Sequence, residues 1–194
     1  MSEDSIIRHC APTLAGLKTG NLFTCSYTTE EEIREDIRRL NEILVPRGVR
    51  VLPMRFSPRK VLVYVYRPGR LAQDLANRKA ANLLDKNGYS GKSSECCVAC
   101  LSKKLKENQD FPHEIGLFLG YPPEDVRGFI EQGPDCCKCL GCWKVYDDVE
   151  ASRKKFNQFD QCSRVYRDRW KNGSSLERLT VASPVNSNIS PVHR

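Results

Sequence analysis

Val61-Leu62-Val63-Tyr64-Val65-Tyr66-Arg67-Pro68-Gly69-Arg70 is the stretch on which the fold turns. Its first six residues are apolar or aromatic at odd and even positions alike, so both faces of the segment need covering, as in a central strand. The chain then runs through Arg67-Pro68-Gly69-Arg70 directly into a helix expected from about Pro68 to Lys86. Upstream, Ser57-Pro58-Arg59 makes a turn to a second strand, Val49 to Phe56. Pro53 has no amide to give a ladder, which places that strand at an edge or at a bulge. Before it, Thr28 and Thr29 with Glu31 and Glu32 form overlapping capping boxes. They open a helix to about Leu44 whose Ile33, Ile37, Leu40, Ile43 and Leu44 share one face, and Pro46 with Gly48 ends it. Leu22 to Tyr27 alternate as a strand, and Pro12 reads as the first residue of a short helix over 12–19.

This order, with Trp143-Lys144-Val145-Tyr146 as a fourth strand, predicts an α+β fold: a ferredoxin-like split βαβ sheet with a helical insertion and C-terminal helices. Residues 1–171 are expected to form a single α+β domain, with the insertion at about 93–133 and a Cys-rich loop at 134–142. Asp147 and Asp148 cap a helix carrying Phe156, Phe159, Cys162, Tyr166 and Trp170. Residues 172–194, rich in Ser, Asn and Pro, are expected to be a flexible tail.

A chain of 194 residues buries a core without disulfide staples, so its ten cysteines are not needed for stability. The acidic start Met1-Ser2-Glu3-Asp4 and the lack of a long apolar run predict a cytoplasmic protein with no membrane partner. In a reducing cytoplasm, clustered thiols point to a soft metal or to thiol chemistry. Asp135-Cys136-Cys137-Lys138-Cys139-Leu140-Gly141-Cys142 holds the densest group. Cys139 and Cys142 have knuckle spacing, as do Cys136 and Cys139. Cys97-Val98-Ala99-Cys100 offers a second pair. Together the pairs form a candidate tetrahedral site for zinc or iron, with His113 as a further ligand. If Cys97 instead starts a helix, the dipole acidifies it for redox chemistry, and the plain alternative is a buried thiol on an amphipathic face. Cys10, expected at a helix entry with His9 beside it, is a candidate nucleophile.

Lys18, Arg67 and Arg70, near a glycine and free helix amides, form a candidate cradle for an anionic small molecule, although solvated arginines at a turn fit equally well. Pro112 to Ile130 reads as two short helices joined at Gly120, with Ile115, Leu119, Val126, Phe129 and Ile130 between them. Glu124 and Asp125 at the second helix start repel phosphate. A structural hairpin is therefore favoured, and nucleic acid is disfavoured as a partner even with a net charge of +7.

His9-Cys10-Ala11-Pro12-Thr13-Leu14-Ala15-Gly16-Leu17-Lys18, Tyr64-Val65-Tyr66-Arg67-Pro68, the run Phe111 to Ile130, and Gly141-Cys142-Trp143-Lys144-Val145-Tyr146 together resemble an uncharacterised bacterial family, domain of unknown function thirty-seven ninety-three. The resemblance reaches to about residue 181 and brings no established activity. It implies an anaerobic bacterial cytoplasm, which suits iron and thiolates. It also singles out His9, Cys10, Lys18, Arg67, His113, Glu114 and Trp143. The leading expectation is a thiol-rich protein binding zinc or iron through Cys139 and Cys142 with Cys97, Cys100 or Cys10. The alternatives are a thiol-dependent enzyme (oxidoreductase or transferase) on an anionic small molecule, and a helix-turn-helix-like regulator.

Overall fold

Val61, Val63 and Val65 point to one side of β3 (Lys60–Tyr66), and Leu62, Tyr64 and Tyr66 to the other. The computed structural model describes residues 1–107 and 110–183. In it β3 lies between β1 (Gly20–Ser26) and β2 (Arg50–Ser57), antiparallel to both. The hairpin turn at Pro58-Arg59 sets the β2–β3 register, with Arg59 at φ 58°. Pro53 meets both expectations at once: β2 is an edge strand, and its register shifts between Pro53 and Arg55. The open edge of β2 is partly covered by Asn41, whose side-chain amide both donates to and accepts from the Val51 backbone, at 2.9 and 2.8 Å.

On the valine side lie α1 (Glu3–Leu14) and α2 (Glu30–Leu44). Thr29 caps α2, its hydroxyl accepting from the Glu32 amide, and Ile33, Ile37, Leu40 and Leu44 face the sheet. Each such side chain removed from water contributes about 1.5–3 kcal/mol. On the tyrosine side lie α3 (Pro68–Leu75), α4 (Arg78–Lys86) and α5 (Ser94–Glu107), followed by the single turn α6 (Ile115–Phe118) and α7 (Pro123–Gln132). The long helix expected from Pro68 is therefore two. Asn77 caps the second by accepting from the Lys79 amide at 2.9 Å.

The mixed α+β class holds, but the fourth strand is elsewhere. Lys144–Val145 form β5, paired with β4 (Cys139–Leu140) in a separate hairpin packed on α7 and α8 (Val149–Lys171). Gly128 makes this packing possible, because a Cβ there would collide with the Tyr146 ring. The helices of segment 93–133 pack into the fold and complete the second core. Asp148 caps α8 as expected. The expected flexible tail is also revised: α9 (Leu176–Leu179) buries Leu176 and Leu179 against α1 and α2, and residues 184–194 lie outside the described residues.

Candidate functional site

Helix α1 starts at Glu3, capped by the Ser2 hydroxyl, so Pro12 lies in its last turn and not at its entry. Cys10 is therefore near a helix C-terminus, where the dipole disfavours a thiolate. It faces the valine-side core with Ile6 and Leu14 and is wholly buried. Burial pushes its thiol well above the ordinary range, with only a partial offset from the Lys18 charge. This corrects the expectation of an acidified nucleophile. His9, one residue away, faces outward and stacks on Phe23 at 4.7 Å.

Arg67 is also corrected. At 3 % exposure, its Nε donates to Thr13 O and its Nη2 to Leu14 O, both at 2.6 Å. The same guanidinium reaches Val181 O and Ser183 Oγ at 2.7 Å. It caps the last carbonyls of α1 and ties the segment after α9 to them, a favourable place for a cation. Arg70 donates to Gly16 O in the same turn. Neither arginine stands in an anion cradle.

Lys18 is different. The turn after α1, with Gly16 at φ 75° and the Lys18 amide bonded to Pro12 O at 3.1 Å, folds its stem inward to 8 % exposure. Its ammonium lies 5.4 Å from the Tyr121 ring centroid and has no carboxylate partner among the described residues. Desolvation draws its pKa below the usual lysine value, with Cys142 and Cys10 acting in the opposite sense. This side chain borders a cleft of about 380 Å³ between α1, β1, the β4–β5 hairpin and α8. Pro12, Leu22, Leu119, Phe156 and Phe159 supply apolar wall, and His9, Asn21, Tyr121, Cys142, Asp160 and Ser163 supply polar groups.

The hydrogen bonds already made decide what the cleft can offer. Ser163 donates to Phe159 O at 2.7 Å, Asp160 accepts from Arg164 at 3.0 Å, and Tyr121 donates to Cys142 O at 3.3 Å. Thr13 donates to Asn21 Oδ1 at 2.8 Å, which leaves the Asn21 Nδ2 as a donor. The groups still open are thus the Lys18 ammonium, the Asn21 amide nitrogen, the His9 imidazole, the Cys142 thiol and the second carboxylate oxygen of Asp160. Burial raises the Cys142 pKa and Lys18 opposes that rise. Such a lining is rich in donors and suits an acceptor ligand.

The thiol pairs do not unite. Cys97 is buried on α5 within the tyrosine-side core, its pKa raised by burial first, contrary to an acidified redox thiol, and Cys100 packs on the same core. Cys139 belongs to the small core around Trp143, and Cys142 faces the cleft. His113 is exposed and edge-on to Phe129 at 5.1 Å. Among the described residues no three His, Cys, Asp or Glu side chains are grouped so as to hold a metal ion.

Glu114 turns inward, accepting from Lys104 at 2.6 Å and Tyr89 at 3.1 Å. Asp125 is buried and accepts from the Trp143 indole and the Tyr146 amide at 2.7 Å and the Asp147 amide at 3.0 Å. Gly116 does allow close approach, since a Cβ there would lie 2.8 Å from Val126. Ile130, expected between the two helices, is exposed instead. Helix α7 is thus fastened to the hairpin through Asp125 in its first turn.

Among the described residues no helix is long and apolar enough to cross a membrane. Searches of curated proteins and of solved structures gave no match. The profile described as "Protein of unknown function (DUF3793)" matches residues 6–180, and the chain belongs to that family.

Proposed function

We propose that the protein binds a small organic anion in the cleft beside Lys18. The observation that carries this reading is a buried ammonium that faces the cleft and makes no ion pair with a carboxylate among the described residues. Burying a charge without a partner is unfavourable, and a bound anion removes that penalty. The Asn21 Nδ2 and His9 add hydrogen bonds, and the Phe156 and Phe159 rings accept an apolar body.

Thermal melts with acetate, benzoate and the neutral isostere benzyl alcohol test the reading. A carboxylate at a hundred times its Kd stabilises by about 2.7 kcal/mol, or several degrees for a chain of this size. The expected result is a shift with at least one carboxylate that is lost in Lys18→Met, and none with benzyl alcohol. A carboxylate shift that survives Lys18→Met, or no shift with either carboxylate, overturns it.

The soft-metal reading keeps one supporting observation, the Cys139 and Cys142 spacing on the β4–β5 hairpin. Stoichiometric zinc or iron in anaerobically purified protein, with loss of stability on chelation, would favour it over the anion.

A further inference from the structure

An anion alone does not require an amine. A guanidinium grips a carboxylate through two parallel N–H bonds and keeps its charge when desolvated, whereas a buried ammonium loses a proton readily and then presents a lone pair. Lys18 is the second kind of group, with an enclosed stem and a nitrogen at the wall of a cleft of about 380 Å³.

Resting on the anion-binding reading, we infer that the ligand is an oxo acid and that Lys18 attacks its carbonyl carbon to form an imine. Three features of the cleft fit this step. The Asn21 Nδ2, freed because Thr13 donates to Asn21 Oδ1, can hold the carboxylate once the lysine nitrogen is engaged in the new bond. His9 lines the same cleft and can carry protons between nitrogen and oxygen. The Phe156 and Phe159 rings line the same cleft and can seat the apolar part of the oxo acid.

The step balances without oxidant or reductant. The lone pair of the neutral amine forms the C–N bond while the carbonyl π pair moves to oxygen. The nitrogen gives up its two protons, the oxygen leaves with them as water, and a C=N bond remains. Buried lysines with lowered pKa are the ones suited to this chemistry, and burial lowers that of Lys18.

Borohydride trapping tests the inference on the full chain, with pyruvate as probe and lactate as the carbonyl-free control. Peptide mapping should find one reduced pyruvate adduct at Lys18, formed roughly tenfold or more faster than at surface lysines, and none with lactate. Lys18→Arg should lose the adduct. If Lys18→Arg does not fold, the wild-type map decides alone. Trapping spread evenly over lysines, or none in a chain that a carboxylate stabilises, overturns the imine. A chain that neither acetate nor benzoate stabilises overturns the anion reading instead, whatever trapping shows.

Discussion

Lys18 and Cys10 are eight positions apart in the sequence, yet burial acts on them in opposite directions because it always disfavours the charged form: the amine pKa falls and the thiol pKa rises. For Lys18 the folded pKa lies below the unfolded one, so the folded chain releases this proton first as pH rises. Stability from this group therefore increases with pH between the lowered folded value and the ordinary lysine value, and below that window the buried charge is a constant burden. Cys10 on α1, Cys142 on the hairpin, and Tyr121, His9 and Asp160 around the cleft are the other titratable groups at the site. We expect Lys18→Met to raise stability at neutral pH by roughly 1 kcal/mol, an advantage that shrinks toward pH 10.5. Urea melts of both proteins across pH check this, and an advantage that grows with pH would contradict it. Thiol labelling tests the same physics. Iodoacetamide should modify the exposed Cys96, Cys136 and Cys142 in the native chain and reach Cys10 only on unfolding.

The capping of elements carries the next level of organisation. α1 ends against a guanidinium supplied by the residue that follows β3, so one side chain ties the exit of a helix to the path of the chain after α9. Replacing Arg67 by Lys keeps the charge but cannot reproduce four hydrogen bonds in a fork. We expect Arg67→Lys to cost about 3 kcal/mol in denaturant melts. A cost below about 1 kcal/mol would mean that the clamp is no stronger than a surface ion pair. The cap of α2 is more ordinary, and Thr29→Ala should cost about 1 kcal/mol.

Over the whole molecule, a three-stranded sheet is covered on both faces, and α9 closes the valine side. Leu176 and Leu179 are buried to 1 % and 3 % exposure, so a chain ending at Gly173 uncovers α1 and α2 and also removes the backbone partner of Arg67 at Val181. With each lost leucine worth about 2–5 kcal/mol and domains stable by only about 5–15 kcal/mol, this truncation should fail to fold cooperatively. Circular dichroism melts check it, and a sharp, unshifted transition would show that α9 is dispensable. The cleft also exists only at this scale, since its wall joins α1, β1, the β4–β5 hairpin and α8.

Local chemistry in the chain determined the three strands of the main sheet, the Pro53 irregularity, the Thr29 and Asp148 caps and the two-faced β3, because propensity, capping and hydrophobic period act over a few residues. The same local signals misplaced Pro12, which can open a helix or sit within its last turn, and passed over Asn77 as a cap between two helices. Of the candidate site residues, His9, Lys18 and Cys142 meet in one cleft, whereas Arg67, Arg70, Cys10, Cys97, Cys100, Cys139 and His113 go elsewhere. Asn21 lies close to Lys18 in the chain, whereas Tyr121, Phe156 and Phe159 join the cleft from distant elements. Residue type limits what a group can do, but which face it shows, and whether water or a neighbour already satisfies it, is set by packing. Tertiary structure alone therefore separated the lysine that borders a cleft with no ion pair among the described residues from the arginine already bonded to its own backbone.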